Sequence, residues 1–244
     1  MMICEAKKMV SGLADLLFPP ECPTCGAILN IHSEHPFCPE CLSSINFIRS
    51  PLCTSCGVPF PDTTGTDHLC QDCIVSRPSF SIARAMASYN TILLNAIHLF
   101  KYRGNVPVGE ALGKMMAHTR YDSLEIGRYS LILPVPLHPN RLKERGFNQS
   151  LVLARQISDL FPIPVDFLAL RRSVRTEAQV NLSRQQRMAN VRGAFEVSDH
   201  DRIYDRRILL IDDVYTTGST VKECSEILMK AGAAEVAVLT LARA

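Results

Sequence analysis

The sequence predicts an α/β domain, a mostly parallel sheet flanked by helices, preceded by a small module organised by cysteine. Three observations predict it. Of the 10 cysteines in 244 residues, eight fall between Cys22 and Cys73, always as C-x-x-C. Charge divides the chain at the same place: residues 1–78 carry 4 Lys and Arg against 8 Asp and Glu, and residues 79–244 carry 22 against 16. Beyond Arg77, short β-prone apolar runs alternate with amphipathic segments, as in parallel sheets with helical crossovers. Composition argues against disorder, with 47% hydrophobic and 20% charged residues. No apolar run approaches the roughly 20 residues of a spanning helix, so no membrane insertion is expected.

Residues 1–18 open with two lysines and an apolar run, which invites a signal-peptide reading. Asp15 interrupts that run, and Met9, Val10, Leu13, Leu16 and Leu17 recur at helical spacing. An amphipathic helix and a cytoplasmic location are therefore expected. In a reducing compartment, paired cysteines bind metal rather than form disulfides.

Residues 19–78 read as a double zinc ribbon. The pairs are Cys22/Cys25, Cys38/Cys41, Cys53/Cys56 and Cys70/Cys73. Each C-x2-C knuckle presents two thiolates on one side of a tight turn, and two knuckles complete a tetrahedral Zn–S4 site. Eight thiolates make two structural Zn2+ sites. Gly26 and Gly57 each follow the first pair of a set, and this repeat favours sequential pairing, Cys22, Cys25, Cys38 and Cys41 against Cys53, Cys56, Cys70 and Cys73. Cross-braced pairing stays open, because four knuckles combine in three ways. His32, His35 and His68 lie nearby but are not needed as ligands. Each ribbon is expected to fold on its own metal and leave the basic part of the chain folded without it.

Residues 79–244 supply the sheet. Strands are expected at Ile82 to Tyr89, Leu131 to Val135, Arg207 to Ile211 and Glu235 to Leu241. Helices are expected at Thr91 to Tyr102, Gly109 to Thr119, Gln149 to Leu160 and Thr220 to Ala231. The most telling stretch is RRILLIDDVYTTGSTVKEC, from Arg206 to Cys224. A strand apolar on both faces ends in two carboxylates, where ligands bind in open α/β sheets. A hydroxyl-rich turn, Thr216 to Thr220, then opens a helix with Thr220 and Glu223 at capping-box spacing. Backbone N–H groups, helix end and hydroxyls together form a phosphate cradle. The carboxylates suit the hydroxyls of a ribose attached to that phosphate.

Two basic stretches accompany it. LPVPLHPNRLKERGFNQS brings His138, Arg141, Lys143 and Arg145 to another strand end. RRSVRTEAQVNLSRQQRMANVRGAF holds Arg171, Arg172, Arg175, Arg184, Arg187 and Arg192 against one acid, Glu177. Such density suits pyrophosphate or a nucleic-acid backbone. Cys224 reads as a core residue and Cys4 as a free thiol. Lys101 and Arg103 are within reach of a phosphate but are not assigned to the site, and Tyr215 is given no role.

The Arg206 to Cys224 stretch resembles the phosphoribosyl pyrophosphate (PRPP) motif of type I phosphoribosyltransferases. With FPPECPTCG, KYRG, VPLHPNRLKERGFNQS, TEAQVNLSRQQRMANVRGAF, DDVYTTGST and LTLARA in this order, nearly the whole chain resembles the ComF family (ComFC/GntX type). The resemblance implies a double zinc ribbon joined to a type I phosphoribosyltransferase-like domain over residues 79–244. It implies an accessory role in competence, DNA uptake or DNA utilisation; the alternative is an active phosphoribosyltransferase transferring phosphoribose from PRPP to a nucleobase or related acceptor. Asp212 and Asp213 would hold ribose hydroxyls, and Thr216, Thr217, Gly218, Ser219 and Thr220 the 5-phosphate. Val135, Pro136, Leu137 and His138 would form the pyrophosphate loop, assisted by Arg141 and Arg145. Arg171 to Arg192, with Arg172, Arg184 and Arg187, would close over the site or contact nucleic acid. Mg2+ would accompany PRPP, and partners would include single-stranded DNA and competence proteins such as a helicase or recombination mediator.

Overall fold

The computed structural model describes residues 19–30, 35–174 and 191–244. The expected helix over 1–18, Cys4, His32, Arg175, Arg184 and Arg187 lie outside the described residues.

Four parallel strands form the central sheet: β1 (Ile82–Ser88), β2 (Leu131–Pro134), β5 (Arg207–Tyr215) and β6 (Glu235–Arg243), in the order β1-β6-β5-β2. Ile208 to Ile211 and Val236 to Leu239 are wholly buried, as parallel strands covered on both faces require. Side chains alternate between two cores. Leu209, Ile211, Ala237 and Leu239 meet three helices, α3 (Thr91–Tyr102), α4 (Val106–His118) and α6 (Gln149–Leu160). Ile208, Leu210, Val236 and Val238 meet α7 (Ser219–Lys230) and a small antiparallel pair, β3 (Leu170–Arg172) with β4 (Phe195–Val197).

Local chemistry sets most helix starts. Asn90 accepts from the Leu93 N–H at 3.1 Å and Asn105 from the Val108 N–H at 3.2 Å, each capping its helix. α4 starts three residues before the expected Gly109, because Asn105 caps it and a proline occupies its first turn. The expected capping box of α7 does not form. Gly218 is the N-cap, in the left-handed region, and no side chain caps the helix. Glu223 instead accepts a hydrogen bond from the Gly193 N–H at 2.7 Å. Three elements carry no readable apolar stripe: α5 (Pro139–Arg145), which buries no residue, and the three-residue strands β3 and β4.

The cysteine modules each carry one short helix, α1 (Pro39–Ser43) in the first and α2 (Gln71–Val75) in the second. They sit beside β1, one of the two edge strands of the sheet. The connection between them covers the open edge: Ile48 N–H donates to Met86 O at 3.1 Å and Ser88 N–H to Asn46 O at 2.8 Å. Further along, Ala83 N–H donates to Ser55 O at 2.7 Å. An uncovered edge would be a template for aggregation. Arg84 is 3% exposed and donates to the carbonyls of Ala83 and Asp122 at 2.8 and 2.7 Å. Cys22, Cys38 and Cys41 join the core on the α3 side, and Cys53, Cys56 and Cys73 the core on the α7 side. The ribbons contribute buried residues to both cores, so loss of a ribbon is expected to disturb the basic part as well, contrary to the independence read from the sequence.

Candidate functional site

Sequential pairing is what the fold selects. The sulfurs of Cys22, Cys25, Cys38 and Cys41 lie within 4.8 Å of one another, as do those of Cys53, Cys56, Cys70 and Cys73. Cys25 and Cys38 Sγ are 3.6 Å apart, and Cys56 and Cys70 Sγ 3.7 Å. A tetrahedron with Zn–S bonds of about 2.3 Å has edges of about 3.8 Å, so both clusters fit zinc. Backbone amides point at the sulfurs: Cys41 N–H to Cys38 Sγ at 3.4 Å, and Cys56 and Cys70 N–H to Cys53 Sγ at 3.4 and 3.3 Å. Burial opposes ionisation of Cys22 and Cys53, but such amides outweigh it and bring each thiol down to about 6. Burial pushes Cys41 and Cys73 up, which a bound dication would reverse. Neither cluster includes a histidine; His68 stacks on Phe60 with centroids 3.9 Å apart.

A cavity of about 950 Å3 opens at the C-terminal ends of β2 and β5. β2 stops at Pro134 because Pro134 and Pro136 have no N–H for the ladder. β5 runs on to Tyr215, so the acids lie within the strand, beyond the point where β2 ceases to pair. Asp212 Oδ1 accepts from Ser150 Oγ at 3.0 Å and from the Asp213 N–H at 2.9 Å. Asp213 Oδ2 lies 2.7 Å from Lys101 Nζ. Burial, then the neighbouring Asp213 carboxylate, push the Asp212 carboxyl up to about 7.

The turn rests on an aromatic floor. Gly218 has φ +73°, and a Cβ there would overlap Tyr215 Oη and Cζ. Glycine is thus required twice, by conformation and by contact. Tyr215 is 4% exposed, with the Arg243 guanidinium 4.2 Å from its ring centroid. Across the cavity, Val135 N–H donates to Ile211 O at 2.9 Å and Asn148 Nδ2 to Val135 O at 3.1 Å, which hold the start of the proline-rich loop. His138 caps α5, its Nδ1 accepting from the Asn140 N–H at 3.2 Å.

Most of the expected residues line this one cavity: Asp212, Asp213, Thr216, Gly218, Ser219, Thr220, the loop Val135 to His138, Arg141, Arg145 and Arg172. Thr217 faces away, its hydroxyl 2.6 Å from Ser219 Oγ, and borders a second crevice. Arg171 and Arg172 belong to β3; Arg172 stacks 5.2 Å from the Phe195 centroid, and Arg171 is exposed. Sequence reasoning left out Lys101, Ser150, Tyr89 and Tyr102, all of which line the cavity. Lys101 and Tyr102 lie in KYRG and Ser150 ends VPLHPNRLKERGFNQS, but a lysine in the last turn of a helix or a serine in the first has no distinctive spacing.

Comparison with known proteins follows this division of the chain. A double zinc ribbon model matches residues 13–74 and a phosphoribosyl transferase domain model residues 148–244. Competence protein F of Haemophilus influenzae is 31% identical over 222 residues, 85% of this chain and 96% of that protein. DNA utilization protein YhgH of Escherichia coli K12 is 32% identical over 79% of this chain and 84% of that protein. Competence protein ComFC of Bacillus subtilis is 26% identical over 97% and 95%. Among solved structures, the allosteric regulatory enzyme of purine biosynthesis matches 54% of this chain and 25% of that one at TM-score 0.37 and 22% identity, a likeness too remote to argue from.

Proposed function

The chain belongs to the ComF family of competence and DNA-utilisation proteins, and from that premise we propose that it is a PRPP-binding accessory protein of DNA uptake or use, working in the cytoplasm. One observation carries the ligand: the paired acids and all of the TTGST turn but Thr217 share a cavity with the loop Val135 to His138. In this reading Asp212 and Asp213 accept the ribose 2- and 3-hydroxyls, and the turn with the start of α7 takes the 5-phosphate. The loop from Val135 to His138, with Arg141 and Arg145, faces the pyrophosphate. Because His138 Nδ1 already accepts from Asn140, its Nε2 is the donor, which suits a pyrophosphate oxygen better than a general-base role. Mg2+ arriving with PRPP would offset pyrophosphate charge. Zinc in the two cysteine clusters would be structural, since each set is closed with four sulfurs. Among the described residues no helix is long and apolar enough to cross a membrane.

Calorimetry with PRPP and Mg2+ tests the reading. The double variant Asp212→Ala, Asp213→Ala loses charge-assisted bonds worth roughly 1.5–3 kcal/mol each, so affinity falls at least about tenfold. No heat from the intact protein at millimolar ligand would overturn it. Single-stranded DNA is the expected macromolecular partner, engaged through the basic run that includes Arg171, Arg172, Arg184 and Arg187. Arg184→Glu with Arg187→Glu should weaken binding and reduce the salt slope by about 0.7 per lost phosphate contact. Unchanged binding in a salt titration would reassign those arginines.

The aromatic side chains on the cavity wall, Tyr89 and Tyr102, favour a second reading, transfer of the phosphoribosyl group to a ring acceptor. A base-dependent pyrophosphate-exchange signal would establish it.

A further inference from the structure

Tyr215 and Arg243 are register partners on β5 and β6, and together they connect two parts of the molecule that the sequence keeps far apart. Arg243 Nη1 donates to the Cys56 carbonyl at 2.7 Å, and Nη2 lies 3.6 Å from Cys56 Sγ. The same guanidinium covers the Tyr215 ring, which in turn lies directly under Gly218 of the phosphate turn. A crevice of about 170 Å3 beside them is bordered by Cys56, Cys73, Thr216 and Thr217. The second cysteine cluster therefore stands behind the turn, with one arginine and one ring between them.

We propose that Arg243 is a positioning residue that couples the second Cys4 centre to the phosphate turn, so that an intact centre is needed for full affinity toward a sugar 5-phosphate. The inference rests on the reading of the turn given above. Four thiolates around a dication leave a net charge of about −2, for which a guanidinium is a natural neighbour. Its planar face fixes the ring by a cation–π contact while its N–H groups hold the knuckle. Lysine lacks that plane and cannot do both. The first cluster has no such link: none of Cys22, Cys25, Cys38 and Cys41 borders either cavity.

The test uses the full chain carrying two zinc ions, with Arg243→Gln, Arg243→Lys and Tyr215→Leu. Ribose 5-phosphate probes the turn, and Mg-pyrophosphate probes the opposite loop. Arg243→Gln should lose about tenfold in ribose 5-phosphate affinity, with pyrophosphate affinity unchanged and Arg243→Lys failing to restore it. Tyr215→Leu should show the same loss with both zinc ions retained, reaching the effect from the other end. Backbone amide exchange over residues 215–221 should accelerate in all three variants, while residues 133–138 stay protected. Equal losses for both ligands, or unchanged affinity and exchange, overturn the coupling. If wild-type protein binds neither probe, the PRPP reading fails by itself, and exchange over 215–221 still decides the coupling.

Discussion

In the first ribbon Gly26 has φ +73° and open space where a Cβ would stand, whereas in the second Gly57, at +71°, would drive a Cβ into the Ala83 carbonyl of β1. The contrast extends to the anchors. The first ribbon is tied to the helical layer by Thr24 Oγ1 to Ile92 O at 3.1 Å and Asn90 Nδ2 to Ser44 O at 2.9 Å, and its Cys25 is exposed. The second presses its knuckle on β1, receives Arg243 at Cys56, and has no exposed cysteine. One motif thus does two jobs: the first closes a core from outside, and the second is part of the base on which the candidate site stands.

The largest effect should come from the thiolates. Cys53→Ser should release one zinc and cost more than about 4 kcal/mol, since it removes a metal and opens the α7-side core. PRPP affinity should fall with it. Cys25→Ser should also release one zinc, at a smaller cost and with PRPP affinity kept. Zinc content, urea midpoints and calorimetry on both variants check this, and equal losses would erase the distinction between the ribbons.

Next in size are the glycines. Gly26→Ala meets only the left-handed penalty, about 1–2 kcal/mol. Gly57→Ala adds a backbone clash, and should cost roughly 3 kcal/mol in all. Urea unfolding of the pair measures the difference, and similar midpoints would mean that β1 yields to the second knuckle.

The last effect concerns the acids of β5, which neither ribbon touches among the described residues. The Asp212 carboxyl is held above its unfolded value, up to about 7. A group raised in the folded state stabilises fully below the unfolded pKa of about 4, and that contribution is lost as pH rises through about 7. From pH 5 to 8 the wild type should therefore lose stability relative to Asp212→Asn, about 2–4 °C in Tm for each kcal/mol. Parallel melting curves against pH would show that Asp212 titrates normally. The opposite dependence is expected for PRPP if Asp212 and Asp213 take the ribose hydroxyls as proposed, because an ionised carboxylate is the better acceptor: affinity should rise across the same range.

Much of this molecule is written in neighbouring residues. Asn90 and the apolar spacing after it specify α3 from Thr91 to Tyr102 as expected, and the run Ile208 to Ile211 marks the central strand. The C-x2-C knuckles and the acids before TTGST are equally local, since each needs only a turn and a strand to assemble. Tertiary structure decided the rest. The edge of β1 covered by residues 46–48 and the Lys101 to Asp213 contact join residues from about 40 to over 100 positions apart, while the pairing of the knuckles and the Tyr215 floor under Gly218 join nearer residues whose meeting no spacing rule specifies. Periodicity and spacing encode which face of an element is apolar and which turn it makes; they do not encode which other face it meets, and that choice is made only when the two cores close around the sheet.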